Sequence, residues 1–326
     1  MSVVVPAYNE EDRLEGMLEE AVEYLDAEYG RPTKASSKAK PNGHTTGTNK
    51  SGSGSTAQKR ESKVSDHVTR PRGYEIILVN DGSKDKTVDV ALRFCKKHKL
   101  HDVLRIVCLK GNRGKGGAVT HGFRHVRGQY AIFADADGAS TFSDISKLVQ
   151  GCQEVQDEPC RGIAVGSRAH MVGSEAVIKV CPISSYDRKV SEESTNPTSF
   201  QRSVIRNALM HSFHFLLRLL TPPATSRIRD TQCGFKLFTR ASLPHIIPYM
   251  HAEGWIFDVE MLMLAESAPP APGAPCDAPG IRVKEVPIGW KEVGGSKLNV
   301  LRDSIGMAWG LALLRASWML GVYKRR

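Results

Sequence analysis

The stretch Tyr130-Ala131-Ile132-Phe133-Ala134-Asp135-Ala136-Asp137-Gly138 carries the decision about the fold. Its first five residues, apolar with aromatic and β-branched members, read as a buried strand, and the acids behind them sit at its carboxyl end. The same form recurs upstream. Val3-Val4-Val5 ends at Pro6, and Glu75-Ile76-Ile77-Leu78-Val79 runs into Asn80-Asp81-Gly82-Ser83. Leu104 to Leu109 is a third such run, which makes Tyr130 to Ala134 the fourth. Between the strands the apolar spacing changes. Leu14, Met17, Leu18, Ala21, Val22 and Leu25 recur at helical intervals behind Glu10, Glu11 and Asp12, acids placed where a helix dipole favours them. A helix is also expected over Val88 to Cys95, and another leads out of a glycine and cation loop at Gly111 to Gly117 as far as Val126. Strands and helices in alternation predict an α/β fold with a mostly parallel, doubly wound sheet.

The bulk composition agrees. With 326 residues, 40% hydrophobic and 25% charged, the chain is globular in character and long enough for one large domain or two small ones. Its net charge of +10 points to an anionic partner, whether phosphorylated substrate, membrane surface or nucleic acid. Much of that charge lies in residues 30–73, which are rich in Ser, Thr, Gly and Lys and read as a disordered insertion. No aromatics are interleaved there and no recognition motif occurs, so nucleic acid is not an expected partner. Seven scattered cysteines without a C-x-x-C argue against a zinc site or a disulfide framework and suit thiols in a reducing compartment. Pro6 ends the first apolar run too early for a signal peptide.

The second half is less regular. Ile163 to Val165 leads into Gly166-Ser167-Arg168, residues 180–199 read as a polar insertion, and Arg202 to Leu220 forms a long helical pattern. A Pro- and Ala-rich loop covers 268–280, and Val283 to Trp290 reads as a strand. From Leu298 to Tyr323 the chain is apolar but broken by Arg302, Asp303 and Arg315, and the uncharged run Ser304 to Leu314 is too short to span a bilayer. Two readings fit it: ordinary core packing, or a pair of interfacial amphipathic helices with Trp309, Trp318 and Tyr323 near lipid headgroups. The expected division is a domain over residues 1–297 followed by C-terminal apolar helices over 298–326.

In an open α/β sheet, ligands bind beyond the carboxyl ends of the strands. Three predicted strands end there in Pro6-Ala7-Tyr8-Asn9-Glu10, Asn80-Asp81-Gly82-Ser83 and Asp135-Ala136-Asp137-Gly138, so an aromatic ring and three acids are expected on one rim. A D-x-D pair can present carboxylates to Mg²⁺ or Mn²⁺, which complete their shell with substrate phosphates. Asn112-Arg113-Gly114-Lys115-Gly116-Gly117 offers amide groups and two cations to a diphosphate, without matching the P-loop pattern. Each feature by itself is also ordinary turn chemistry, and Asp81-Gly82-Ser83 is equally a turn and a helix cap.

Taken together and in order, V-V-V-P-A-Y-N-E-E from Val3, I-L-V-N-D-G-S from Ile77, N-R-G-K-G-G-A from Asn112 and F-A-D-A-D-G from Phe133 resemble the nucleotide-sugar half of the family 2 glycosyltransferases, which have the GT-A fold. The resemblance spans Ser2 to Arg168 apart from the insertion. Beyond it, Gly166-Ser167-Arg168, Arg202 to Phe213, Arg229 to Phe238, Trp255 to Glu260 and Trp290 to Leu298 are similar to the dolichyl-phosphate glucosyltransferase branch. That resemblance implies inverting transfer of glucose from UDP-glucose to dolichyl phosphate, at the endoplasmic reticulum membrane with the catalytic domain on the cytosolic face. It implies that Pro6, Tyr8 and Glu10 hold the uridine with Asp81. It gives Asp135 and Asp137 the diphosphate and its Mg²⁺ or Mn²⁺, with Asp137 as the direct ligand. Lys115 and Lys297 are expected beside the departing UDP, and Arg168, Arg202 and Arg206 at the acceptor phosphate. Asp258 or Asp230 is expected to orient the sugar or act as base. Family members carry a membrane anchor ahead of the first strand; this chain begins at that strand, so either the given sequence is truncated or attachment is through the C-terminal helices.

Two rivals are weaker. A mannose synthase using GDP-mannose shares the earlier motifs and matches the final ones less well. A nucleotide-dependent dehydrogenase needs G-x-G-x-x-G after the first strand, where P-A-Y-N-E-E stands.

Overall fold

Seven short β-rich segments hydrogen-bond into one sheet: β1 (Ser2–Ala7), β2 (Glu75–Asn80), β3 (Leu104–Cys108), β4 (Tyr130–Ala134), β5 (Ile163–Ser167), β6 (Phe235–Thr239) and β7 (Val283–Pro287). The computed structural model describes residues 1–31, 73–171, 212, 215–275, 278–291, 293 and 300–323. The polar stretch at 180–199 and nearly all of the insertion at 30–73 fall outside these. The strand order is β3-β2-β1-β4-β6-β5-β7. β1 is parallel to β2 and β4, and β2 to β3. β6 runs antiparallel between β4 and β5, and β7 closes the edge parallel to β5.

The strands are nearly continuous apolar runs because both faces are covered. Val3, Val5, Ile76, Leu78 and Ile132 pack on one face against α1 (Leu14–Tyr29), α2 (Thr87–Lys97) and α4 (Ile145–Val155). The alternate residues Val4, Ile77, Val79, Ala131 and Phe133 pack on the other against α3 (Gly114–Phe123) and α6 (Phe257–Glu266). Each fully buried Val, Ile or Phe here contributes about 1.5–3 kcal/mol relative to exposure. A third cluster joins α6 to helical residues 215–220 and to α7 (Val300–Met319) through Leu217, Val259, Met263, Leu311 and Leu314. One short helix, α5 (Pro223–Ser226), lies between them in sequence.

Four features differ from the sequence reading. β6 begins inside the Arg229 to Phe238 motif, ends one residue past it and was not expected as a strand, because Lys236 interrupts its apolar pattern. The glycine and cation loop is largely helix, since α3 already begins at Gly114. The last strand stops at Pro287, after which Trp290 makes one isolated bridge to Ser140. Among the described residues of the C-terminal part there is one helix, α7, where a helix pair was one of the two readings. Among the described residues no helix is long and apolar enough to cross a membrane.

Candidate active site

The register of the sheet gathers the predicted residues. Ala7 pairs with Asn80, so Tyr8 and Asp81 leave β1 and β2 at the same level. Val4 pairs with Phe133, which brings Asp135 out of β4 beside Pro6. α1 and α2 cover one face while α3 covers the other, so the winding reverses at β1 and opens a crevice between its end and that of β4. The loops are tied together. The Asn9 amide donates to Ser83 Oγ (3.0 Å), the Glu10 amide to Thr87 Oγ1 (2.8 Å), and the Lys84 amide to Asn9 Oδ1 (2.8 Å). Tyr8 remains 36% exposed on this rim. Glu10 is engaged within the protein, since Arg13 donates to it through two nitrogens at 2.7 Å each.

Asp81 is buried at the start of α3, and its Oδ1 accepts the Arg113 amide at 2.7 Å. Burial raises its carboxyl above the usual range, against the pull of the Arg113 and Gly114 amides. Three more amides of this turn are also taken. Gly114 N–H donates to Asn112 Oδ1 (3.1 Å), and those of Gly116 and Gly117 both donate to the Glu253 carbonyl (2.8 and 3.4 Å). Arg113 pairs with the Glu253 carboxylate. The glycine-rich turn therefore does not offer these groups to a diphosphate, as the sequence suggested. It is glycine-rich because α3 packs tightly: a Cβ at Gly116 would lie 2.6 Å from the Ala252 carbonyl oxygen and the Phe257 Cβ.

One cation of that turn does face the acids. Lys115 Nζ lies 2.6 Å from Asp135 Oδ1. Burial pulls its pKa down, but Asp135, Asp258 and Asp137 outweigh this and raise it, so the ammonium stays charged. Gly234 makes room for the Asp135 carboxylate, since a Cβ there would fall 1.9 Å from Oδ2. Asp137 is as exposed as Asp135 (side chains 29% and 30%), with Oδ1 accepting the Ala139 amide (3.0 Å) and Oδ2 4.0 Å from Arg13. Beneath them is a residue that sequence reasoning missed. Lys236 on β6 is fully buried, pairs with Asp258, donates to the Cys233 carbonyl (2.6 Å) and lies 5.2 Å from the Phe133 ring centroid. A lone lysine within F-K-L-F was the available signal. Asp258 is likewise buried, and burial raises its carboxyl despite Lys236 and Lys115.

Arg168 and Asp230 form a second pair. Asp230 accepts from Arg168 Nε (2.7 Å), its second guanidinium nitrogen (2.8 Å) and its amide (3.0 Å), and the guanidinium lies 5.6 Å from the Trp290 ring centroid. Burial opposes ionisation of Asp230, but the Arg168 bonds win and hold its carboxyl low. Arg168 is thus committed to a carboxylate on its own chain. Arg202, Arg206 and Lys297 lie outside the described residues.

Among the described residues no cluster of three or more His, Cys, Asp or Glu is arranged for a metal ion. A cation held by one or two carboxylates and by substrate phosphates needs no such cluster, and Asp137 and Asp135, both partly exposed, fit that donor set.

Solved structures of similar fold include glucosyl-3-phosphoglycerate synthase of Mycobacterium tuberculosis, in a complex with Mn²⁺, UDP and glucosyl-3-phosphoglycerate. It matches with a TM-score of 0.51 and 15% identity over 96% of this chain and 78% of that one, a likeness of fold alone. A profile of glycosyl transferase family 2 matches residues 63–193. The dolichyl-phosphate β-glucosyltransferase of Saccharomyces cerevisiae is 38% identical over 99% of this chain and 76% of its own length. That of Homo sapiens is 35% identical over 99% of this chain and 77% of its own. Similarity of this extent reaches past the strand-end motifs into the irregular second half, and by it the chain belongs to the dolichyl-phosphate β-glucosyltransferases of glycosyltransferase family 2.

Proposed function

We propose that the protein transfers glucose from UDP-glucose to dolichyl phosphate, inverting the anomeric carbon and releasing UDP. The observation that carries this reading is the meeting of Tyr8, Asp81, Asp135 and Asp137 with Lys115 on one rim of the sheet. Its support is the family to which the chain belongs. Tyr8 offers an aromatic face, and Asp81 a carboxylate fixed by the Arg113 amide, to the uracil ring. Asp137, with Asp135 beside it, would hold Mg²⁺ or Mn²⁺, which when bound stabilises negative charge on the departing diphosphate. Lys115 keeps a second positive charge on the same side.

The acceptor is a phosphate monoester with a second pKa of about 6, so near neutral pH it is already an anionic nucleophile. One of its oxygens bonds to the anomeric carbon as the bond to UDP breaks, the electron pair leaving with UDP. Attack from the far side of an α-linked donor gives a β-linked product. No strong base is required. This agrees with Asp258 and Asp230 each being engaged by a cation, Lys236 and Arg168. Both acids act in this reading by holding those cations in position.

The membrane is the second partner. The reading sets the protein at the endoplasmic reticulum, on the cytosolic face, attached at least in part through α7, which leaves Ile305, Trp309 and Leu313 exposed. The test is a radiolabelled UDP-glucose assay with dolichyl phosphate, with and without EDTA. Label should enter the organic phase as a glucolipid, and EDTA should stop it. Absence of labelled lipid, or equal transfer from GDP-mannose, overturns the reading.

A further inference from the structure

Beneath the rim the charges continue inward. The side chains of Asp135 and Lys115 are 30% and 20% exposed, whereas Asp258 keeps 4% and Lys236 none. Four elements bring these groups together around one ring. Phe133 on β4 stands opposite Lys236 on β6 in the antiparallel register, and two residues further on the Asp135 amide donates to the Gly234 carbonyl (3.2 Å). Lys236 Nζ lies 5.2 Å, and Lys115 Nζ 5.9 Å, from the centroid of the Phe133 ring. Phe257, the residue before Asp258, tilts against the same ring with centroids 5.8 Å apart. It also meets the turn that carries Lys115, since a Cβ at Gly116 would fall 2.6 Å from the Phe257 Cβ. The first turns of α3 and α6 are therefore in contact, and the Lys236–Asp258 pair ties α6 to β6 just below the acids.

From the rim inward the signs alternate: Asp135, Lys115, Asp258, Lys236. Asp258 favours the charged form of Lys115, and Lys115 in turn opposes the effect of burial on Asp258. Packing alone does not account for the inner pair, because apolar side chains of similar size replace a buried ion pair at little cost. What the charges add is a fixed counter-ion. Lys236 supplies Asp258 with a positive partner inside the protein, and Asp258 supplies Lys115 with a second carboxylate. With Asp135 shared with a divalent cation, Asp258 is the carboxylate left to hold the Lys115 ammonium on its inner side, while its outer side faces the departing diphosphate.

We propose that Lys236 and Asp258 are positioning residues for glucosyl transfer, holding Lys115 beside Asp135 from within the core. The inference rests on the proposed function and extends it to two side chains that touch no substrate.

The test separates charge from packing. The double variant Lys236→Met/Asp258→Leu removes both charges and keeps apolar bulk, and Lys115→Met is made both in the wild-type chain and in that double variant. Folding is checked by circular dichroism. Both KM values and kcat are measured, and UDP affinity in the presence of Mn²⁺ is read by titration calorimetry. The double variant should fold and keep its KM for dolichyl phosphate, while kcat falls roughly 10- to 100-fold, the scale of a small misplacement at a reacting centre. Lys115→Met should then cost much less in the double variant than in wild type, since groups that act through one another are not additive. A purely structural pair would instead leave kcat unchanged once the fold is restored. The proposal is overturned if kcat of the double variant stays within about twofold of wild type, or if its loss and that of Lys115→Met simply multiply. Should the double variant fail to fold, Asp258→Asn takes its place in the cycle and is read in the same way. A wild-type chain that neither binds UDP nor transfers glucose overturns the proposed function, whereas one that does both without coupling between Lys115 and the inner pair overturns this inference alone.

Discussion

At Asp137 one carboxylate oxygen is occupied by the Ala139 amide and the other lies 4.0 Å from Arg13. Asp135, two residues earlier, is paired with Lys115. The sequence displays the two acids alike, and their partners separate them: Gly234 makes room for the Asp135 carboxylate, which pairs with Lys115, while Asp137 accepts the Ala139 amide and lies 4.0 Å from Arg13. Asp137→Ala should lower glucosyl transfer by about 10²–10³-fold or more, with the thermal unfolding midpoint within a degree or two of wild type. Turnover at the wild-type level would refute the metal assignment. The Arg168–Asp230 pair is tested by acid. Asp230 has its carboxyl held below the ordinary 3.8 by Arg168. A lowered native pKa means that the pair's stabilisation is complete above the unfolded value and is lost as pH falls through the native one. Stability should therefore drop below about pH 4 by a component that Asp230→Asn removes, measured by urea unfolding across that range. Asp258, raised by burial, contributes with the opposite sign and does not mimic it.

The parallel elements were legible because their residues obey one rule each. Val3-Val4-Val5 and Glu75 to Val79 alternate between two cores, and the apolar residues of α1 fall on one stripe. β6 was not legible because Lys236 breaks the alternation. Its charge is acceptable there only because Asp258, some twenty residues later and on a different element, comes to meet it. Local pattern carries no trace of such a partner. The same holds for α3, whose glycines looked like a ligand loop and instead permit contact with the segment at Ala252 to Phe257. An element-scale prediction follows from the buried pair. Lys236→Met leaves Asp258 without its partner and should cost about 3–5 kcal/mol. Adding Asp258→Leu should restore most of the loss, because two apolar side chains replace a buried ion pair at little net expense. A double variant no more stable than Lys236→Met, by urea unfolding, would show that the lysine contributes through packing and not through charge.

On the scale of the whole molecule, the sheet is assembled from parts far apart in sequence, and its first crossover contains the insertion beginning near residue 30. The ends of that crossover are already joined. The Gly73 amide donates to the Tyr29 carbonyl at 2.9 Å, and Arg31 reaches both Asp26 and the His98 carbonyl. α1 can therefore pass to β2 through a short connection without moving either element. Loop-closure entropy rises with the logarithm of loop length, so replacing residues 32–72 by a linker about six times shorter should raise stability on the order of 1–2 kcal/mol. The acids of the rim enter from β1, β2 and β4, and none comes from the removed segment. Transfer of glucose in detergent should accordingly be retained within a few-fold, while affinity for anionic vesicles should fall if the lysines of the insertion touch lipid, by about 1 kcal/mol per residue near the surface. Both are read on one shortened chain. Loss of transfer in detergent, with the fold intact by circular dichroism, would mean that the insertion supplies a group to the site, contrary to an active rim built wholly from the ends of the sheet.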